Sequence, residues 1–354
     1  MLQQQPYDSP LPNLLKGSPP VRFLSSLYSL AMKIRNGRFT SGRAAVLSLK
    51  SPVISIGGIR AGGTGKTPCA MMVGEMLQET GNTVAILSRG YRRKNRSDFI
   101  AAPGEKINWH DCGDEPAMLH NVLSNCWLGI SAHRLRVAQQ IEQVAGNVVF
   151  ILDDGFQHRQ LKRDLDIVCV NESLFNDRML PDGFLREQVS SLGRAHVICL
   201  IGKKENRELL LHLEDSIKST YKQASTFIAY PQPCGWINAG TGEIAERPPC
   251  SDPVAVCGIA RPERFFESLE SLGVIPCKKI AFSDHYSFTK NDFVNIHKLY
   301  SKELVITEKD AIRINEFSSE ISSKIWYLKV RLKFHSGDST KRFKEKLQNI
   351  LPKL

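Results

Sequence analysis

From residue 53 onward, short apolar runs alternate with glycine turns and longer amphipathic stretches. Residues 53–57, then 66–78 at helical spacing, then 83–88, predict a strand, a helix and a strand around a glycine-rich loop, which is a βαβ unit. Apolar runs at 127–130, 148–152, 166–170 and 196–201 continue the rhythm between helical stretches. These runs are apolar throughout, so their strands are expected to be covered on both faces in a mostly parallel sheet. After a run at 226–230, Pro231, Pro233, Gly235, Gly240 and Gly242 predict a linker of strand and turn. A second α/β rhythm follows, with strands expected at 254–257, 279–282, 303–306 and 325–330 and helices near 261–272, 289–300 and 340–350. The expected division is a lead and helix over 1–47, a larger α/β domain over 48–230, a linker over 231–250 and a smaller α/β domain over 251–354. A chain of 354 residues is long for a single core, which agrees with two domains.

The helix expected at 21–43 has Phe23, Leu24, Leu27, Tyr28, Leu30 and Ala31 among Arg22, Lys33, Arg35, Arg38 and Arg43. Such a composition suits a helix lying at a membrane surface, and equally one packed on the next domain with a solvated basic edge. No run approaches the roughly eighteen apolar residues of a membrane span, and the start lacks a signal peptide's order. With 47 Lys+Arg against 36 Asp+Glu the net charge is +11, which favours an anionic partner: nucleic acid, an acidic membrane or a phosphorylated substrate. The nine cysteines form no Cys-x-x-Cys pair and no zinc-like cluster, so reduced thiols of a cytoplasmic protein are expected.

The loop GGTGKTP lies between the first strand and its helix. Gly62, Gly63, Thr64 and Gly65 let backbone N–H groups curve around phosphate, Lys66 reaches the β/γ-phosphates, and the Thr67 hydroxyl suits Mg²⁺. The usual P-loop glycine five places before Gly65 is replaced by Arg60. The run VVFILDD has the form of a strand that delivers Asp153 and Asp154 beside that loop, and adjacent carboxylates suit a hard cation. An ordinary turn after a strand is the plainer reading of Asp-Asp-Gly taken alone.

Other polar clusters leave two readings each. SRGYRRK puts Arg89 and Arg92 at the end of the second strand, as phosphate contacts or as a solvated basic loop. GDEP is a helix start at Asp114 or a source of general base. His285 in FSDHYSF is structural or a proton carrier. TEKDA, from Thr307, is a helix start or a substrate contact. Arg186 and Glu187 in PDGFLRE face a site or form a surface ion pair.

Taken in order, GGTGKTP, SRGYRR, GDEP, LDDGFQH, PDGFLRE, FSDHYSF and TEKDA resemble the tetraacyldisaccharide 4′-kinase family, the lipid A 4′-kinases of Gram-negative bacteria. The resemblance runs from about Ser55 to Ala311. It implies a P-loop NTPase-like domain joined by a two-stranded linker to a smaller α/β domain that closes on the nucleotide. The implied reaction passes the γ-phosphate of ATP to the 4′-hydroxyl of an acylated glucosamine disaccharide 1-phosphate, giving lipid IVA. The implied location is the cytoplasmic face of the inner membrane, held peripherally on an anionic surface.

On this resemblance, Lys66 and Thr67 are the phosphate-loop pair, and Asp153, Asp154 and Glu187 are the metal-associated acids. Asp114 takes the sugar proton with His285 in support, while Arg134 and Arg186 lie near phosphate. ATP and Mg²⁺ are the implied ligands, nucleic acid is not a partner, and the chain acts as a monomer. Departures from the family pattern fall at residues 58–61 and at Arg92. The alternative class is a regulatory P-loop GTPase or ATPase acting on a protein or nucleic acid. It accounts for the charge, but not for the missing Asn/Thr-Lys-x-Asp guanine signature or a second domain carrying its own His motif.

Overall fold

The computed structural model describes residues 17–91, 93 and 96–351. Arg92 and the lead before Gly17 lie outside the described residues. The chain forms two α/β units that are discontinuous in sequence: among the described residues, Asn108–Met118 and Gln232–Arg331 make the smaller, and the remainder makes the larger. Residues 332–354 thus belong with the larger unit, whereas the sequence had placed them in the smaller domain. The aromatic side chains explain the return: Phe343 on the last helix packs against Phe227 and Phe334 at ring-centre distances of 5.2 and 4.8 Å.

The strands, in chain order, are β1 (Val53–Gly57), β2 (Val84–Ser88), β3 (Phe99–Ala101), β4 (Cys126–Ile130), β5 (Val149–Asp153), β6 (Leu165–Val170), β7 (Val197–Ile201) and β8 (Ser225–Asn238). They continue as β9 (Ile244–Ala245), β10 (Val254–Cys257), β11 (Lys278–Ala281), β12 (Leu304–Thr307) and β13 (Ile325–Phe334). In the larger unit the order is β8-β7-β6-β1-β5-β2-β4-β3. Every neighbouring pair there is parallel except β3 against β4. In the smaller unit β11, β10, β12 and β13 are parallel neighbours. Most strands fall within one or two residues of the apolar runs; β8 and β13 run on past theirs, and β3 and β9 are too short to carry a period.

The segment expected as a linker of strand and turn contains extended strand. β8 continues through Pro231 and Pro233 to Asn238, and its far end pairs antiparallel with β9. Proline lacks an N–H but keeps an extended backbone, so it removes ladder bonds without ending the strand.

Period-two alternation divides each core into two layers. In the smaller unit Val254, Val256, Leu304, Ile306 and Ile325 join Phe288, Phe293 and Ile296 on one face. Ala255, Cys257, Val305, Trp326 and Leu328 join Phe265 and Leu269 on the other. In the larger unit Val168, Val170, Ile198 and Leu200 pack with Phe156 and Leu210, and Ala85, Leu87, Phe150 and Leu152 pack with Val137 and Ile141.

β1 is buried at every residue, and its last position decides how closely the chain after β5 approaches. A Cβ on Gly57 would stand 2.6 Å from the Phe156 backbone N and 2.7 Å from its Cβ. Gly57→Ala is therefore expected to cost ~1–3 kcal/mol, as overpacked cores do. Gly37→Ala, in a helix with no heavy atom within 4 Å of the new methyl, should be neutral or slightly stabilising. Urea unfolding of the two variants checks this, and equal midpoints would contradict the close approach.

Candidate functional site

The phosphate loop leaves β1 and enters the helix Lys66–Glu79 through Gly65, whose φ of 82° is left-handed. No side chain caps that helix, so its first N–H groups are available to an anion at the positive end of the helix dipole. Thr64 N donates to Gly62 O at 2.9 Å, while the buried Thr64 Oγ1 has no hydrogen-bond partner. Lys66 Nζ lies 3.4 Å from Gly62 O and 3.7 Å from Asp154 Oδ1. Orphaned buried polar atoms at a loop of this shape are those a bound phosphate satisfies.

Asp153 and Asp154 close β5 next to this loop. Asp154 has a φ of 47°, a left-handed value that a non-glycine residue adopts at an energetic cost. Its Oδ2 accepts from Arg186 Nη1 at 2.6 Å, and its Oδ1 has no hydrogen-bond partner. Burial alone would raise the Asp154 carboxyl, but Lys66 and Arg186 outweigh it and hold it below the usual range. Arg134, at the start of the helix Arg134–Ala145, is buried with its Nε unpartnered, and burial lowers its pKa against the pull of Asp153 and Asp154. Arg89 is exposed and adds its charge to the same neighbourhood.

Two acids with the Thr67 hydroxyl fit Mg²⁺, which takes one or two carboxylates and fills its shell with phosphate oxygens and water. Among the described residues no three His, Cys, Asp or Glu side chains gather as a metal shell. Glu187, expected with those acids, does not join them. Its carboxylate is 1% exposed and accepts from Asn36, Gln157, Ser191 and Arg194. Those donors satisfy a buried charge and fasten it to the N-terminal helix instead.

Arg60 is also occupied. It is buried, donates from Nε to Asp177 Oδ2 at 2.5 Å, and lies over the Phe184 ring at 4.6 Å. Ala61 N donates to Phe184 O and Arg186 N to Ile59 O, so the first part of the loop is stitched to the segment that delivers Arg186.

In the smaller unit, Asp114 opens the helix Asp114–Val122, as one of its two expected uses requires, and its carboxylate enters a buried cluster. Asp114 Oδ2 accepts from His285 Nδ1 at 2.8 Å and from Arg313 Nε at 3.1 Å and Nη2; Lys309 Nζ is 3.7 Å away. Burial alone would raise this carboxyl, but the His285 hydrogen bond and the charges of Lys309 and Arg313 hold it far below the usual carboxylate range. An ionised Asp114 requires the proton between the pair to sit on Nδ1, leaving His285 Nε2 as the basic nitrogen. That nitrogen faces Asp284 Oδ2 at 3.5 Å. His285 has a φ of 60°, again a left-handed non-glycine residue at a polar cluster.

Sequence reasoning missed Arg313, whose only signal is its place three residues after Asp310. It also gave no separate role to His158, at the end of LDDGFQH. Burial first, then Arg134 and the neighbouring arginines, push the His158 ring from 6.5 down to about 4.

The family profile of tetraacyldisaccharide-1-P 4′-kinase (LpxK) matches residues 19–351. A Tetraacyldisaccharide 4′-kinase of Desulfotalea psychrophila is 34% identical over 309 residues, covering 84% of this chain and 88% of that protein. One from Francisella philomiragia is 33% identical over 324 residues, covering 89% and 94%. The crystal structure of "apo" form LpxK from Aquifex aeolicus in complex with ATP superposes with a TM-score of 0.78 at 27% identity, covering 94% of this chain and 98% of that one.

His158 provides a check on the charge arrangement of the larger unit. With its folded pKa depressed from 6.5 to about 4, unfolding takes up a proton between those values. Its contribution to stability is whole above pH 6.5 and is lost as pH falls toward 4. His158→Gln should flatten the decline of thermal midpoint over that window, and parallel pH curves for the two proteins would count against a neutral ring.

Proposed function

The chain belongs to the tetraacyldisaccharide-1-P 4′-kinase family, and we propose how its residues divide that reaction. It is an ATP-dependent lipid kinase that phosphorylates the 4′-hydroxyl of tetraacyldisaccharide 1-phosphate, which displaces the regulatory GTPase or ATPase alternative. In our reading the larger unit binds ATP phosphates on Gly62, Gly63, Thr64, Gly65, Lys66 and Thr67. Thr67, Asp153 and Asp154 hold Mg²⁺, which when bound offsets phosphate charge and orients the transferring group. Lys66, Arg186, Arg134 and Arg89 add positive charge where the phosphoryl group gains negative charge.

The smaller unit removes the proton. The observation that carries this reading is the Asp114–His285 pair, with the carboxylate already met by Arg313, Lys309 and the His285 Nδ1 hydrogen, and Nε2 left basic. We therefore assign His285 Nε2 as the proton acceptor and Asp114 as the group that orients the ring and stabilises the imidazolium, the reverse of the roles suggested by resemblance.

A second reading concerns the membrane. No helix is long and apolar enough to cross one among the described residues. The helix Pro19–Thr40 turns Phe23, Leu24, Leu27, Leu30 and Ile34 outward, each about half exposed or more. Its opposite side is fastened to the larger unit by Ser25 to Met179 O, Tyr28 to Arg186 O and Arg35 to Gln157 O. Apolar residues that face out along one stripe beside basic ones suit insertion into an anionic lipid surface.

Three measurements test these assignments. Asp114→Asn and His285→Gln should each lower kcat by ~10²–10⁴-fold while the Kd for ATP changes little. Equal losses in ATP binding and turnover would refute the proton role. Chelation of divalent cations should abolish transfer, and turnover that survives it would remove the metal from the scheme. Leu27→Glu with Ile34→Glu should lower sedimentation with anionic vesicles, and undiminished binding would show that the stripe is not the contact.

A further inference from the structure

We propose that Arg313 is the positioning residue of the proton-accepting pair, fixing Asp114 and His285 together from behind. The proposal rests on reading that pair as the acceptor of the sugar proton. The Arg313 side chain is fully buried. Its Nε and Nη2 both donate to Asp114 Oδ2, the oxygen that also receives His285 Nδ1. Its Nη1 donates to Gly258 O at 2.7 Å and to Asp310 Oδ1 at 2.8 Å.

Gly258 O is a shared acceptor, because His285 N donates to it at 3.1 Å. One guanidinium therefore holds the carboxylate at its front and the carbonyl that fixes the His285 backbone at its side. The strained φ of His285 is tied at that carbonyl. Asp310 in turn is completely buried, and its Oδ2 accepts from Thr307 Oγ1 at 2.6 Å and Gly258 N at 3.2 Å. Thr307 and Asp310 of TEKDA thus form the seat of Arg313.

The planar fork matters beyond charge. A lysine can neutralise Asp114, but it cannot hold Asp114, Gly258 and Asp310 at once. The charge matters separately, because it draws on the same oxygen that faces the imidazole. Removing it leaves Asp114 more available to His285, which favours the imidazolium and raises the pH at which the base becomes neutral.

The test compares Arg313→Gln and Arg313→Lys with the parent enzyme, using ATP and acylated disaccharide 1-phosphate across pH. Arg313→Gln should lose on the order of 10²-fold in kcat, with ATP affinity little changed, and its acid limb should move up by about half a pH unit or more. Arg313→Lys should lose turnover to a smaller degree with its limb near the parent's. A folded Arg313→Gln with parental kcat and an unmoved limb overturns the proposal. Should that variant not fold, Arg313→Lys decides: turnover within about twofold of the parent's overturns it, because the fork is then dispensable. His285→Gln separates the two levels. An active His285→Gln sinks the reading of the pair itself, whereas an inactive one beside fully active Arg313 variants sinks only the role of Arg313.

Discussion

A carboxylate withdrawn from water has to be met by cations or by several hydrogen bonds, and that requirement shapes both units. Asp114 is met by His285, Arg313 and Lys309. Asp154 is met by Lys66 and Arg186, and Glu187 by four donors. The difference lies in what remains unsatisfied. Both oxygens of the Glu187 carboxylate accept hydrogen bonds, and the group ties the N-terminal helix to Gln157, Ser191 and Arg194. Around Asp154 one oxygen stays without a hydrogen bond, and Thr64 Oγ1 and Arg134 Nε are unpartnered too. A carboxylate oxygen without a partner beside the glycine loop is open to a ligand, whereas a carboxylate paired at both oxygens ties elements together.

The same arithmetic separates the members of the Asp114–His285 pair. Two cations and an imidazole N–H on one carboxylate lower its affinity for a proton, which makes it a poor base and a firm anchor. Only one of its neighbour's two ring nitrogens is committed to that carboxylate, which is the basis for assigning the proton chemistry to the other. The anchor arrives on Asn108–Met118, a short segment of the smaller unit that is flanked in sequence on both sides by the larger one.

The strands and the phosphate loop were legible because their signals are local. β1, β2, β5, β6 and β7 are apolar runs of the right length, and GGTGKTP carries its chemistry within a few residues. Asp153, Asp154, Asp114 and His285 could be named as candidates, but their company could not be deduced from spacing, since His285 is 171 residues from Asp114. The partners of Glu187 were not legible either, because an Arg-Glu pair after a turn does not reveal that Asn36, Gln157, Ser191 and Arg194 meet the acid. Arg313 went unnoticed because an Asp-x-x-Arg step reads as a helix-surface ion pair, and only tertiary structure shows it fully buried. β8 overran its expected end because proline forbids a hydrogen bond but not an extended chain.

Arg60 bears on how the loop meets its nucleotide. Many phosphate loops begin with a glycine whose freedom must be frozen when the anion arrives. Here that position is clamped by an ion pair to Asp177, a stacked Phe184 ring and flanking backbone bonds, all supplied by the chain itself. The ordering entropy of the first half of the loop is therefore incurred once, when the chain folds, rather than at every turnover.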